Sequence, residues 1–144
     1  MTIKQKYDNY RKLNLQRLGL LALDYTKQKY LDNQREQMLH GEDNQGANIG
    51  EYQSKAYAEM KNRMNSLADG YVDLKLTGSF QDKLDIVKRG SDKFEVLSRD
   101  KKNGILVEKY GSKIFLLNDK YLQNYRLSFM PKFVEILKNE TNKE

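Results

Sequence analysis

Apolar side chains recur at helical spacing through the first part of the chain. Within residues 2–34 the stripe is formed by Ile3, Tyr7, Tyr10, Leu18, Leu21 and Tyr25. Other leucines point to the remaining sides, so the middle of this predicted helix is apolar nearly all round. A continuous helix of this length would span about 50 Å, whereas a compact domain of this size is roughly 30 Å across. We therefore expect residues 1–35 either to break, with Gly19 as the candidate position, or to project towards a partner.

The same periodicity predicts two further helices. One lies between about residues 50 and 68 and carries along one side Tyr52, Ala56, Met60, Met64 and Leu67. The other begins after residue 118 or 119, and its stripe consists of Leu122, Tyr125, Phe129, Phe133 and Ile136. Because proline lacks a main-chain N–H, Pro131 predicts a kink or a new helix start within this segment. Residues 139–144 are polar and are expected to fray.

One β-hairpin is predicted at about residues 83–98. Leu84 and Ile86 lie on one side of its first strand, and Phe94 and Val96 lie on one side of its second strand. Residues 89–92 have the composition of a four-residue hairpin loop. This is the clearest sheet signal in the chain, so we expect the hairpin to offer the apolar surface that the helices cover. The predicted architecture is α+β, with a single domain over residues 36–138.

Two connecting segments lie between the hairpin and the last helix. Residues 101–110 are expected to form a short helix that ends at Gly111. Residues 114–117 are a dense apolar run, typical of a short strand or a buried connector.

Basic side chains concentrate towards the two ends of the chain. The protein has 26 lysine and arginine residues and 20 aspartate and glutamate residues, for a net charge of +6. Residues 2–35 carry +5 and residues 101–144 carry +4, which leaves −3 on the middle segment. Such a distribution attracts phosphate backbones, and it equally allows copies to stack with a basic end against an acidic middle. Both interpretations stay open, as does simple solvation of helix surfaces.

No arrangement of residues in the sequence is typical of catalysis or metal binding. There is no cysteine, and His40 is the only histidine, so a nucleophile relay has one candidate base and no recognisable partner. Glu42 and Asp43 beside His40 do not follow a metal-ligand spacing, and Gly78 stands outside any phosphate-binding glycine pattern. We expect no enzyme activity, cofactor or metal. Since no apolar run approaches the roughly 20 residues of a membrane span, we expect a soluble protein without membrane contact.

Four segments carry a resemblance to a known family. They read QMLHGEDNQGANIGEY (37–52), YAEMKNRMN (57–65), VDLKLTGSFQDKL (72–84) and SRDKKNGILVEKYGSKIFLLND (98–119). Together they resemble the small virion proteins of tailed bacteriophages, especially of phages that infect Bacteroides-like hosts. The motif positions are Leu74, Leu76, Thr77, Gly78, Phe80, Tyr110, Gly111, Ile114 and Phe115. Leu116 departs from the pattern, which has a glycine after the phenylalanine.

The resemblance implies structural work in an assembled particle. Such proteins are similar to head–tail connector and tail-completion subunits, which form rings and have a mixed sheet packed against helices. It implies a homo-oligomer that contacts other neck, tail or portal proteins, and a place in the virion after synthesis in the bacterial host cytoplasm. The N-terminal helix lies outside the resemblance. If it faces a partner, we expect the subunit interface to include Tyr7, Tyr10, Arg11, Arg17, Leu18, Leu21 and Tyr25.

A small basic nucleic-acid-binding protein is the alternative. The net charge of +6 and the ten tyrosines among many basic residues favour it, because aromatic rings stack on bases. However, most of these tyrosines fall on helical stripes where burial explains them, and no helix-turn-helix, zinc-finger or aromatic-sheet motif is visible.

Overall fold

The computed structural model of the protein describes residues 1–75, 77–90 and 93–143. These residues form an α+β fold, which confirms the predicted fold class. The elements in chain order are α1 (Ile3–Arg11), α2 (Leu15–Leu39), α3 (Lys55–Met64), α4 (Ser79–Asp82), β1 (Leu84–Arg89), β2 (Lys93–Ser98), α5 (Asn103–Tyr110) and α6 (Asp119–Thr141). Short 3₁₀ turns occupy Ser66–Ala68 and Ser112–Ile114. The sheet in this part of the chain is one antiparallel hairpin, so the mixed sheet that the resemblance implies is not found there.

The N-terminal helical segment breaks at residues 12–14, so the expected break at Gly19 is wrong. Asn14 has extended backbone angles, and its side-chain oxygen accepts a hydrogen bond from the main-chain N–H of Arg17. An asparagine at this position caps the first turn of a helix, which stabilises it by about 1 kcal/mol. Gly19 lies inside α2, where it is tolerated as a helical residue. The break therefore falls at the best capping residue, and α2 continues to Leu39, beyond the predicted end.

The packing of α2 on α6 forms the centre of the molecule. Tyr30 of α2 meets Tyr125 of α6 edge to face, with ring centroids 5.1 Å apart. The hydroxyl groups of Thr26 and Tyr125 lie 2.7 Å apart, so each of these two buried hydroxyls has a hydrogen-bond partner within the contact. Burial raises the pKa of Tyr30 to about 12. Burying a large apolar side chain contributes about 1.5–3 kcal/mol, so the burial of these rings stabilises the helix pair.

The hairpin covers one side of this helix pair. Leu84, Ile86 and Val96 are buried beneath it, and Ile86 lies opposite Val96 in the ladder. The two strands are thus where the sequence predicts them. The hairpin offers an apolar surface to the helices as expected, because Leu84, Ile86 and Val96 share one core cluster with residues of α2 and α6. The two helices also pack extensively on each other. Arg89 pairs with Lys93 inside the ladder, and Ser91 and Asp92 of the predicted loop lie outside the described residues.

Ion pairs fasten the hairpin to α2. The ammonium group of Lys27 contacts Asp85 at 2.5 Å, and the ammonium group of Lys88 contacts Asp24 at 2.5 Å. Arg99 approaches Asp85 from the other side at 2.7 Å. The hydrogen bond from Lys27, followed by that from Arg99, lowers the pKa of Asp85 from 3.8 to about 2. Asp85 is therefore charged at neutral pH and serves this attachment.

Residues 112–118 form a connector that α2 holds through side-chain amides, and four of its residues are buried: Ile114, Phe115, Leu117 and Asn118. The amide of Gln37 donates to the carbonyl of Leu116 at 2.9 Å and accepts from the main-chain N–H of Asn118 at 2.8 Å. Gln34 donates to the carbonyl of Ile114 at 3.3 Å. Leu116 has a positive φ of 69°, a conformation that favours glycine. The resemblance to phage virion proteins implies glycine at this position.

The last helix continues through Pro131 to Thr141, and no new helix begins at the proline. Pro131 lies on the exposed side of α6. Helical structure also extends three residues into the segment 139–144 that was predicted to fray. The side-chain amide of Asn9 donates to the carbonyl groups of Thr141 and Lys143, each at 3.0 Å. This contact ties α1 to the end of α6.

We predict that glycine is favoured over alanine at position 116. A residue held at positive φ costs about 1–3 kcal/mol unless it is glycine, so Leu116→Gly should be about 1 kcal/mol more stable than Leu116→Ala. The matched control is Leu127, which lies exposed within α6, where glycine should instead be about 1 kcal/mol less stable than alanine. Urea unfolding of the four variants tests this, and the same sign at both positions would contradict it.

Candidate functional site

Helix α1 turns its apolar side away from the rest of the protein. Ile3, Tyr7 and Tyr10 follow one another at helical spacing and are 89%, 60% and 52% exposed. No residue of α1 is buried. The helix touches the body through its opposite side, where Asn9 bonds the end of α6. We call Ile3, Tyr7 and Tyr10 the α1 face, and in the described part of the chain it is a largely exposed aromatic surface.

The predicted interface residues fall into three groups. Tyr7, Tyr10 and Arg11 lie together on α1, with the Arg11 guanidinium 5.9 Å from the centre of the Tyr7 ring. On α2, Arg17 and Tyr25 are exposed, Leu21 is half-buried, and the ammonium group of Lys132 lies 4.1 Å from the Tyr25 ring centre. Leu18 has no exposed surface and belongs to the core, so its assignment to the interface is wrong. The break at residues 12–14 explains this division of a single predicted stripe.

The outer side of α6 carries a second exposed apolar surface that the sequence analysis missed. Leu127, Met130 and Val134 are 75%, 46% and 40% exposed and share one side of the helix. That side lies opposite the inward stripe of Tyr125 and Phe129. The sequence does contain a signal for this surface. Leu127, Met130 and Val134 are apolar residues spaced three and four positions apart, and they lie outside the stripe that was interpreted as core. We call these three residues the α6 ridge.

The residues of the family motif meet around one cavity of about 190 Å³. Leu74, Thr77, Gly78, Phe80 and Tyr110 line it. Leu74 and Phe80 are buried, and Gly78 has a φ of 88°, which begins α4 with a tight turn. Leu76 lies outside the described residues.

The other described motif residues lie outside the lining of this cavity. Phe115 approaches Phe80 with ring centroids 6.2 Å apart, and Ile114 is fully buried. Gly111 has a φ of 85° and ends α5. Motif segments that are distant in sequence therefore meet in space, and their visible role is to shape the core.

A buried ion pair lies at the edge of this cavity. The ammonium group of Lys61 lies 2.9 Å from the carboxylate of Asp73, and the two side chains are only 3% and 2% exposed. Lys61 also donates to the carbonyl of Lys75. The Asp73 carboxylate accepts from the side chain of Asn65 at 3.0 Å and from the main-chain N–H of Lys75 at 3.0 Å. Asn65 in turn donates to the carbonyl of Leu39 at 2.8 Å, so this cluster joins α3 to the end of α2.

The pairing of Lys61 with Asp73 could not be read from the sequence. The two residues are twelve positions apart and both stand among ordinary polar residues, so no local pattern distinguishes them. Nearby, burial and then the charge of Asp73 raise the pKa of Tyr52, which keeps its hydroxyl neutral. Because every charged atom of the pair has a partner, the cluster has the geometry of a structural clamp.

The remaining polar candidates take part in local structure. His40 Nδ1 lies 2.9 Å from the carbonyl of Glu36 in the preceding helical turn. One oxygen of Asp43 accepts from the main-chain N–H groups of Gln45 and Ala47, which closes the turn after α2. Within residues 1–75, 77–90 and 93–143, no group of three or more His, Cys, Asp or Glu side chains could hold a metal ion.

Known proteins provide no further guide to this arrangement. No protein-family model, curated protein or solved structure matches the chain. In the described part of the chain, none of the helices has both the length and the apolar character needed to cross a membrane. The sequence motifs and the exposed surfaces are therefore the features that indicate a function.

We predict that Lys61→Met destabilises the protein by about 3–5 kcal/mol, because it leaves the Asp73 carboxylate buried without its counter-ion. The double variant Lys61→Met/Asp73→Asn should recover part of this loss, since the amide is neutral. Arg89→Met is the matched control, because its partner Glu95 is an exposed strand residue, and it should cost less than about 1 kcal/mol. Denaturant unfolding measures all three variants. Equal losses for Lys61→Met and Arg89→Met would show that the buried pair has no special role.

Proposed function

We propose that the protein is a structural subunit of a tailed-phage virion, of the head–tail connector or tail-completion kind, and that it acts by packing against other subunits. The observation that carries the packing role is the α1 face. A nine-residue helix is shorter than the roughly 12–15 residues at which isolated helices become marginally stable. Helices of this size gain most of their stability by burying an apolar side. Since α1 buries none of its residues in this chain, a partner surface is the natural cover for Ile3, Tyr7 and Tyr10.

The virion assignment is supported by the motif resemblance. The motif residues that the structure describes shape a cavity and the core, and this suits a scaffold whose outer surfaces meet neighbouring subunits. The α1 face and the α6 ridge are two different apolar surfaces on one chain. An assembly that grows head to tail needs two different faces on each subunit. The proposed partners are copies of the same chain and other neck, tail or portal proteins.

A nucleic-acid-binding role is the second candidate, and two contacts favour it. Arg11 lies over the ring of Tyr7, and Lys132 lies over the ring of Tyr25, so both tyrosines join a positive charge at the surface. Burial does not explain Tyr7, Tyr10 and Tyr25, because all three are exposed. A gel-shift series with single-stranded DNA separates the two functions. Tight binding that weakens steeply with added salt would favour this candidate over the subunit.

We predict that the purified protein self-associates as its concentration rises, and that Tyr7→Ser/Tyr10→Ser shifts it to the monomer. Removing two aromatic rings takes away most of the apolar area of the α1 face, so association should weaken by at least about tenfold. Ile105→Ser is the control, because Ile105 is 67% exposed on α5 and lies outside this face. Sedimentation velocity at several concentrations and at low salt measures the effect. The proposal of self-packing fails if the natural protein stays monomeric throughout, or if the tyrosine variant associates as the natural protein does.

A further inference from the structure

We propose that α1 of one copy docks into an acidic groove beside α3 on a second copy. This inference deepens the proposed function and rests on it, since it names the two surfaces that meet. The groove is lined by Glu51 and Tyr52, by Glu59 of α3, and by Asp69 and Tyr71. We call these five residues the α3 groove.

Charge determines what α1 can pair with. Lys4, Lys6 and Arg11 flank the α1 face, and Asp8 is the one acidic residue of the helix, so α1 carries a net charge of +2. Two α1 helices packed face to face would bring these like charges together, and such contacts cost several kcal/mol. The partner surface is therefore different from α1 and acidic. This argues for a head-to-tail contact and against a symmetric one.

The α3 groove has the charge that α1 requires. It has a volume of about 380 Å³, and Glu51, Glu59 and Asp69 surround it with Lys55 as the one opposing cation of its lining. None of these three carboxylates forms a salt bridge to another described residue. Half-buried Tyr52 and Tyr71 offer rings to the tyrosines of α1. An amphipathic helix laid into a groove with apolar contacts at its centre and ion pairs at its rim is a common mode of recognition.

The occupant has to come from another copy. The α3 groove lies near the end of α2, because Asn65 after α3 bonds the carbonyl of Leu39. Helix α1 lies at the other end of α2, beside the pair formed by Arg17 and Glu140. A helix of 25 residues is about 37 Å long, whereas the three residues that join α1 to α2 span at most about 10 Å. A chain cannot fill its own groove, and the two surfaces lie at opposite ends of the subunit, as a growing chain of copies requires.

A charge exchange between two variants tests this contact. Lys4→Glu/Lys6→Glu makes α1 acidic, and Glu51→Lys/Glu59→Lys makes the groove basic; all four side chains are exposed. We expect each variant alone to associate at least about tenfold more weakly than the natural protein, because like charges then face each other. An equimolar mixture should recover the natural affinity, since each α1 then meets a groove of opposite charge on the other variant. Sedimentation velocity with one variant labelled detects the mixed species.

The control is Lys101→Glu/Lys109→Glu, which changes the net charge as the α1 variant does at exposed positions away from α1. It should associate as the natural protein does, because its α1 and its α3 groove are both unchanged. Suppose that the natural protein associates and that Tyr7→Ser/Tyr10→Ser abolishes this association, while the mixture of charge variants fails to recover it. This result overturns the assignment of the α3 groove and leaves the proposed function standing. A natural protein that is monomeric under all conditions overturns both.

Discussion

The packing of α2 against α6 is the constraint that positions every other element. The rings of Tyr30 and Tyr125 meet in this contact, and the side-chain amides of Gln34 and Gln37 on α2 bond the connector that leads into α6. A buried amide without partners costs about 1–3 kcal/mol, so the connector at residues 112–118 follows the path that satisfies Gln37. The positive φ of Leu116 is a consequence of that path. The connector then places α6, and α6 completes the surface on which α2 rests.

This arrangement also fixes where the exposed surfaces are. The end of α2 is joined through Asn65 to the Asp73 cluster and to α3. The start of α2 is joined to the end of α6 and to α1. Helix α1 is held there by polar contacts of Asn9 and contributes nothing to the core. A rigid body with a basic aromatic helix at one end and an acidic groove at the other is suited to repeated contact between copies, and this is the physical basis of the proposed structural role.

The sequence predicted those parts of the fold that depend on neighbouring residues. The alternation of apolar and polar residues predicted both strands of the hairpin, and Leu84, Ile86 and Val96 share its buried side. The helical stripe of α6 was also correct, because Tyr125 and Phe129 face the core. Parts that depend on distant contacts were not predictable. The pairing of Lys61 with Asp73 is set by tertiary structure. The helix breaks at residues 12–14 because capping by Asn14 outweighs the low helix propensity of Gly19. Because of this break, Leu18 belongs to α2 and is buried in the core, whereas Tyr7 and Tyr10 belong to α1 and are exposed.

The most direct test of the central claim, that α1 is covered by a neighbour in an assembled particle, is hydroxyl-radical footprinting of the tyrosines. The free protein in dilute solution is compared with purified virions of the kind that the proposed function requires, and Tyr30 and Tyr125 serve as buried references. The account predicts that Tyr7 and Tyr10 are oxidised readily in the free protein and become protected in the particle. Absence of the chain from the particles, or equal oxidation of Tyr7 and Tyr10 in both samples, would contradict it.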